Sequence, residues 1–144
     1  MSTDRQDPFV NARFRVEIDG LPHTGATEII FPDARIVSAP RKLRTVQYGL
    51  LVLRRGMTRS ADWYDWWDRA RTSANPEPRH ISVVLMDASH ADVTRWMFSA
   101  AVPSAYSVSP LNALGNQPLI ETLELSVGGL AIAFGDTAKR RRRP

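Results

Sequence analysis

The run from Gln47 to Trp67 constrains this chain more than any other stretch. Leu50 to Leu53 is an unbroken apolar, β-prone run that ends in Arg54-Arg55-Gly56. Three of the four tryptophans follow within a few residues, and Trp63, Trp66, Trp67 and Ala70 fall at i, i+3, i+4 and i+7. That spacing makes one apolar stripe on a helix, with Asp65, Asp68, Arg69 and Arg71 on the other side. Ser60 is placed to cap the helix, and Asp62 lies in the first turn, where the helix dipole favours an anion. Asn75-Pro76-Glu77-Pro78 must end it. A tryptophan stripe can stack on bases or sugars, but one continuous face is better read as core. Trp63, Trp66 and Trp67 are therefore expected to dock the helix on a sheet.

The other segments read mostly as strands. Phe14, Val16 and Ile18 alternate with Arg13, Arg15 and Glu17, and Asp19-Gly20 supplies a turn. A short strand is expected at Thr27–Phe31, and the proline-bounded segment from Pro32 to Pro40 is irregular or at best an edge. Leu43–Leu53 reads as one strand, as do His80–Met86, Val93–Phe98 and Ala101–Val108, with a turn at Asp87–Asp92 and a loop at Pro110–Pro118. Leu119, Glu121, Leu123, Leu125 and Val127 alternate strictly with Ile120, Thr122, Glu124 and Ser126. Gly128-Gly129 is a bend before a last strand at Leu130–Phe134. Short connections make the pairing antiparallel. The fold class is mainly β: a small antiparallel barrel, or two packed sheets, with one flanking helix.

Chain length fits one domain of 144 residues. It divides into a flexible lead at 1–8, a β domain at 9–134 and a disordered basic tail at 135–144. Removing the five charges of Lys139–Arg143 turns the net +4 into −1, so the basicity belongs to the tail. The absence of cysteine excludes disulfides, thiolate metal sites and cysteine nucleophiles. No apolar run reaches the roughly 20 residues of a membrane span, and the amino terminus has no signal-peptide core. Synthesis in the cytoplasm is expected, with no membrane anchor. His23, His80 and His90 make no metal-ligand spacing, and Asp62, Asp65 and Asp68 read as a solvated helix face. No nucleophile elbow, phosphate loop or dinucleotide fingerprint is present. Neither an enzyme nor a cofactor site is expected.

With these segments in place, the chain resembles the tail tube family of contractile phage tails and phage-like contractile injection systems. The matching pieces are Asp7-Pro8-Phe9 leading to Phe14–Leu21, Arg41-Lys42-Leu43, Tyr48-Gly49 through Thr58, and Tyr64–Trp67. Ile81–Asp87, Trp96–Pro103 and Ile120–Leu125 continue the series. Each is unspecific alone; the signal is their order over residues 7–134.

The resemblance implies a structural subunit. Six copies would form a ring whose sheets join into one inner barrel, and rings would stack into a tube that meets sheath and baseplate proteins and conducts DNA or protein cargo. It implies residence in a phage virion or an injection-system particle. Two sets of alternating polar residues are then candidates for the lumen: Thr122, Glu124 and Ser126, or Arg13, Arg15 and Glu17. Thr27, Glu28, Asp33, Arg35, Arg41 and Lys42 are candidates for contact between rings. The segment Pro32–Pro40 is shorter than the family's hairpin-like loop, which commonly reaches the next ring. That departure points to a tube-initiating, baseplate-proximal ring as the alternative, and Lys139–Arg143 to a nucleic-acid-binding module as a third reading.

Overall fold

Among the described residues, nine strands and one helix succeed one another. They are β1 (Phe14–Ile18), β2 (Glu28–Ile30), β3 (Ala34–Val37), β4 (Thr45–Tyr48), β5 (Leu51–Gly56), α1 (Asp62–Thr72), β6 (Arg79–Met86), β7 (Asp92–Val108), β8 (Ile120–Ser126) and β9 (Gly129–Phe134). The computed structural model describes residues 13–21, 24–38, 40 and 43–135. The lead at 1–8 and, beyond Gly135, the basic tail with Lys139–Arg143 lie outside the described residues.

The long strand β7 organises the rest. The sequence suggests two strands here, but residues 92 to 108 form one. Its first half pairs with β6 on one edge and β9 on the other, and its second half pairs with β8. All pairing is antiparallel, in the order β1-β6-β7-β8-β5-β2, with β9 beside β7. β8 and β9 run end to end along β7 and make a single ribbon bent at Ser99-Ala100 and Val127–Gly129. Ala100 takes a φ of 54° at the bend, and Gly128 N donates to the Ser99 carbonyl at 2.8 Å. A Cβ on Gly128 would sit 3.1 Å from that of Ala100, and one on Gly129 would require Ser99 Oγ to move, so the two glycines ease the close approach of the chains. The bend folds a first sheet (β1, β6, β7, β9) over a second (β7, β8, β5, β2).

The layer between the sheets contains the side chains that alternation assigned to it. Val16 and Ile18 of β1, Ile81 and Val83 of β6, and Phe98 of β7 meet Leu51 and Leu53 of β5 and Leu123 and Leu125 of β8. Each such side chain contributes about 1.5–3 kcal/mol when fully buried. α1 packs against β7, with Trp63 and Trp66 buried and Trp67 half-buried. Segment 24–27 links the edge of β1 to β2: Thr24 Oγ1 donates to the Val16 carbonyl at 2.7 Å, and Thr27 N donates to the Arg54 carbonyl at 2.8 Å.

Three expectations are corrected. Leu43–Leu53 is not one strand, because the chain turns at Gly49-Leu50 between β4 and β5. For Pro32–Pro40 the irregular alternative is corrected and the edge alternative holds: Ala34–Val37 pairs with Thr45–Tyr48 as one edge of a two-stranded arm outside both sheets. Both prolines flank β3 rather than interrupting it, so the ladder keeps its donors. Ser60 does not cap α1. Ala61 occupies the cap position without a side-chain bond, and Asp62 Oδ1 accepts from Trp63 N at 2.8 Å instead.

Candidate assembly surfaces

The end of β5 holds the helix in place through one buried cation. Arg55 follows Leu51 and Leu53 on the inward face and is 3% exposed. Its Nε donates to Glu121 Oε1 at 2.5 Å, Nη1 donates to the Thr24 carbonyl at 3.0 Å, and Nη2 donates to Asp62 Oδ1. Its guanidinium lies 4.1 Å from the centre of the Trp63 ring. Glu121, 1% exposed, also accepts from the Tyr106 hydroxyl at 2.5 Å. One group thus ties β5 to β8, to segment 24–27 and to the first turn of α1. Burial alone would lower the Arg55 pKa, but hydrogen bonds to Asp62 and Glu121 raise it. Burial pulls the Asp62 carboxyl up, and the Arg55 bond outweighs that and holds it below the usual carboxylate range. The Tyr106 phenol is pushed up to about 12, first by burial and then by its bond to Glu121.

Trp67 completes the dock, its ring 6.4 Å from that of Tyr106 and 5.9 Å from that of Tyr64. Arg79 lies over Trp66 at 5.2 Å and Arg71 near Trp67 at 5.6 Å. All three helix-docking tryptophans therefore meet the sheet or a cation. Asp62 is not part of a solvated face, since it turns inward to Arg55, whereas Asp68 pairs with Arg71 on the surface at 2.7 Å.

The two sets of lumen candidates lie on different sheets. Thr122, Glu124 and Ser126 are on the outer face of the second sheet. In the register, Glu28, Arg54, Thr122 and Ser107 make one row, and Ile30, Val52, Glu124 and Ala105 the next. Arg54 pairs with Glu28 at 3.0 Å, and Thr122, Ser107 and Ala105 are the short side chains of these two rows. Arg13, Arg15 and Glu17 belong to the outer face of the first sheet. There Arg15 grips Asp92 with two bonds, of 2.8 and 3.2 Å, and donates to Glu17 at 2.8 Å. Arg95 reaches the other Glu17 oxygen at 2.9 Å. Arg13 donates to His90 Nε2 at 2.9 Å. His80 is exposed, and among the described residues no cluster of three or more His, Asp or Glu is placed to hold a metal ion.

This lattice gives a pH prediction. Burial raises the Glu17 pKa, but the bonds from Arg95 and Arg15 outweigh it and hold it below the ordinary 4.5. A carboxylate depressed in the folded state stabilises above its unfolded pKa and loses that contribution as pH falls through the folded value. Stability should therefore decline below about pH 4.5. Glu17→Gln should lose stability at neutral pH and flatten this acid limb in urea titrations. An unchanged slope would remove Glu17 from the account.

The inter-ring candidates separate into two groups. Thr27 and Glu28 sit at the edge of the second sheet, bonded to Arg54. Asp33 and Arg35 pair at 2.6 Å at the base of the β3–β4 arm. Arg41 and Lys42 lie outside the described residues. The arm also carries apolar residues that polar patterning overlooked. Ile36 faces Val46 across the ladder, and both are exposed, as is Leu43. The β-branched pairs Ile36-Val37 and Thr45-Val46, on either side of Pro40, were the available signal.

The sequence matches the family model of the T4-like virus tail tube protein gp19 over residues 10–131. No curated protein matches it. Among solved structures, a chain of the extended sheath–tube complex of an extracellular contractile injection system, PVC, has a TM-score of 0.71 at 16% identity, covering 94% of this chain and 99% of that one. A chain of the six-fold symmetrised anti-feeding prophage (AFP) baseplate gives 0.65 at 22% identity, over 89% and 97%. Hcp1 from Flavobacterium johnsoniae gives 0.61 at 17% identity, over 85% and 95%. At these identities the likeness is one of fold, and the family match covers most of the chain. The chain belongs to the T4-like virus tail tube protein gp19 family, a family of structural tail tube proteins.

Proposed function

We propose that the β domain forms six-membered rings, that the rings stack into a tube inside a sheath, and that the second sheet lines a lumen conducting DNA or protein. The observation that carries this reading is the second sheet itself. Among the described residues, neither the outer edge of β2 nor the edge of β7 beyond Ala101 that faces away from β8 has a strand partner. Two open edges on one curved sheet fit lateral pairing between copies, and a cyclic, heterologous contact closes without leaving an edge. The outer face between those edges bears Ser107, Thr122, Ser126 and Ala105, short side chains that leave a channel open. Among the described residues Glu124 forms no ion pair, so each copy would add its negative charge to the channel. The first sheet, with its charges already locked together, would form the outer wall. DNA or protein are both cargo classes that such a lining admits.

The likeness to a chain of the AFP baseplate favours a second reading, a tube-initiating ring near the baseplate. Copy number per particle separates the two, since an initiator is present in one or two rings and a tube subunit in dozens. Electron microscopy of the purified, concentrated protein tests the common claim. Rings and stacked tubes are expected, and a protein that stays monomeric even when seeded with baseplate would sink it. The lumen assignment has its own test. In assembled tubes a Glu124→Cys thiol should react with a small maleimide and resist a bulky polymer-linked one; equal reaction would place that face outside.

A further inference from the structure

The turn that ends β1 holds the only Asp-Gly pair in the chain, and no Asn-Gly occurs. Leu21 N donates to the Ile18 carbonyl at 3.0 Å, so Asp19 and Gly20 are the central residues of the turn. Both are exposed. Asp-Gly is the sequence in which aspartate isomerises most readily, because glycine puts no side chain in the way of its own amide nitrogen. The Gly20 nitrogen attacks the Asp19 side-chain carbon Cγ: a C–N bond forms, the carboxyl C–O bond breaks, and one water leaves as a five-membered imide closes. Water then adds back. Cleavage of the bond to the original main-chain carbonyl leaves the chain running through the side chain, as isoaspartate with one extra backbone methylene.

The fold holds this pair in an unreactive arrangement. Gly20 has a φ of 80° and Asp19 a negative one, the signature of a type II turn. In that turn the first central residue has a ψ of about +120°, which sets the next amide beside its Hα and away from its Cβ. Attack therefore requires the peptide between Asp19 and Gly20 to swing round, and the Asp19 carbonyl must swing with it. Arg79 opposes that rotation. Its Nη1 donates to the Asp19 carbonyl at 2.5 Å, while its guanidinium lies 5.2 Å from the centre of the Trp66 ring. On the other side Asp19 N donates to the His80 carbonyl at 3.1 Å. A Cβ at position 20 would strike Arg79 Nη1, so the glycine that makes the pair reactive also lets the arginine approach. We propose that Asp19-Gly20 is a latent isoaspartate site, and that Arg79 is the latch that keeps it closed in the folded chain. Conversion would move the carbonyl off Arg79 and loosen the tie between this turn and Trp66 of α1.

The test follows isoaspartate at Asp19 during storage of the full-length protein at neutral pH, beside a free peptide of residues 14–21. Enzymatic methylation of isoaspartate and chromatography of the digest count the product. The peptide should convert more than about tenfold faster than the folded chain, and Arg79→Ala about tenfold faster than wild type, the effect of one charge-assisted hydrogen bond on a rate. Leu85→Ala empties a buried site at the far end of β6, where Leu85 pairs with Phe14, and should leave the rate unchanged. A folded chain that converts as fast as the peptide overturns the latch, and a peptide that does not convert overturns the site. Equal acceleration in Arg79→Ala and Leu85→Ala would put the opening in global unfolding and remove Arg79 from the proposal. The comparison of wild type with peptide decides the question of closure even if Arg79→Ala fails to fold.

Discussion

Replacing Arg55 by alanine should destabilise the fold by about 3–5 kcal/mol, because it leaves Glu121 charged and buried without its cation. Asp62 loses its partner in the same step, and the first turn of α1 loses its link to β5. The urea midpoint should fall by a molar or more for a slope of about 1–3 kcal/mol/M. The measurement has an internal control. Removing the charges together, as Arg55→Met with Glu121→Leu, should recover most of the loss, since an apolar replacement for a buried pair is often neutral. A loss below about 1 kcal/mol in Arg55→Ala would mean that water or another group takes over, and that the cation does not hold the helix.

Trp63→Ala is expected to cost about 3–5 kcal/mol, the usual range for emptying a fully buried aromatic site. Trp63→Phe should cost far less. The indole Nε1 is buried with no hydrogen-bond partner among the described residues, so phenylalanine forfeits volume and no bond. Because the Arg55 guanidinium rests on this ring, the Arg55→Ala and Trp63→Ala losses should fall short of additivity by about 0.5–2 kcal/mol in a double-mutant cycle. Exposed Tyr64 provides the comparison. If Trp63→Ala is no worse than Tyr64→Ala, the stripe is not the dock.

Alternation revealed the layers well, because a side-chain period of two records which face is buried. Val16, Ile18, Leu123 and Leu125 are all inside, as their spacing requires. Glu121 was visible in step with Leu119, Leu123 and Leu125, although the pattern gave that carboxylate no role. Its partner was not, since Arg55 lies 66 residues away and only the β5–β8 register brings them together. The continuity of β7 was hidden by Pro103, which sits in the strand where the pairing to β8 shifts register and so removes no needed donor. The arm was hidden for a different reason. Its apolar residues face no core of their own chain, so nothing in the local pattern distinguishes a projecting hairpin from an irregular connection. The segment therefore read as an irregular connection, although it forms one strand of a two-stranded arm.

A strand that belongs to two sheets also has a mechanical meaning. Any force that slides one layer over the other must break hydrogen bonds on both halves of β7 or tear the ribbon at Ser99-Ala100. The bend is a corner of a frame and not a hinge, so the layers are expected to open as one cooperative unit in hydrogen exchange. Such a frame keeps its cross-section while a load passes through it.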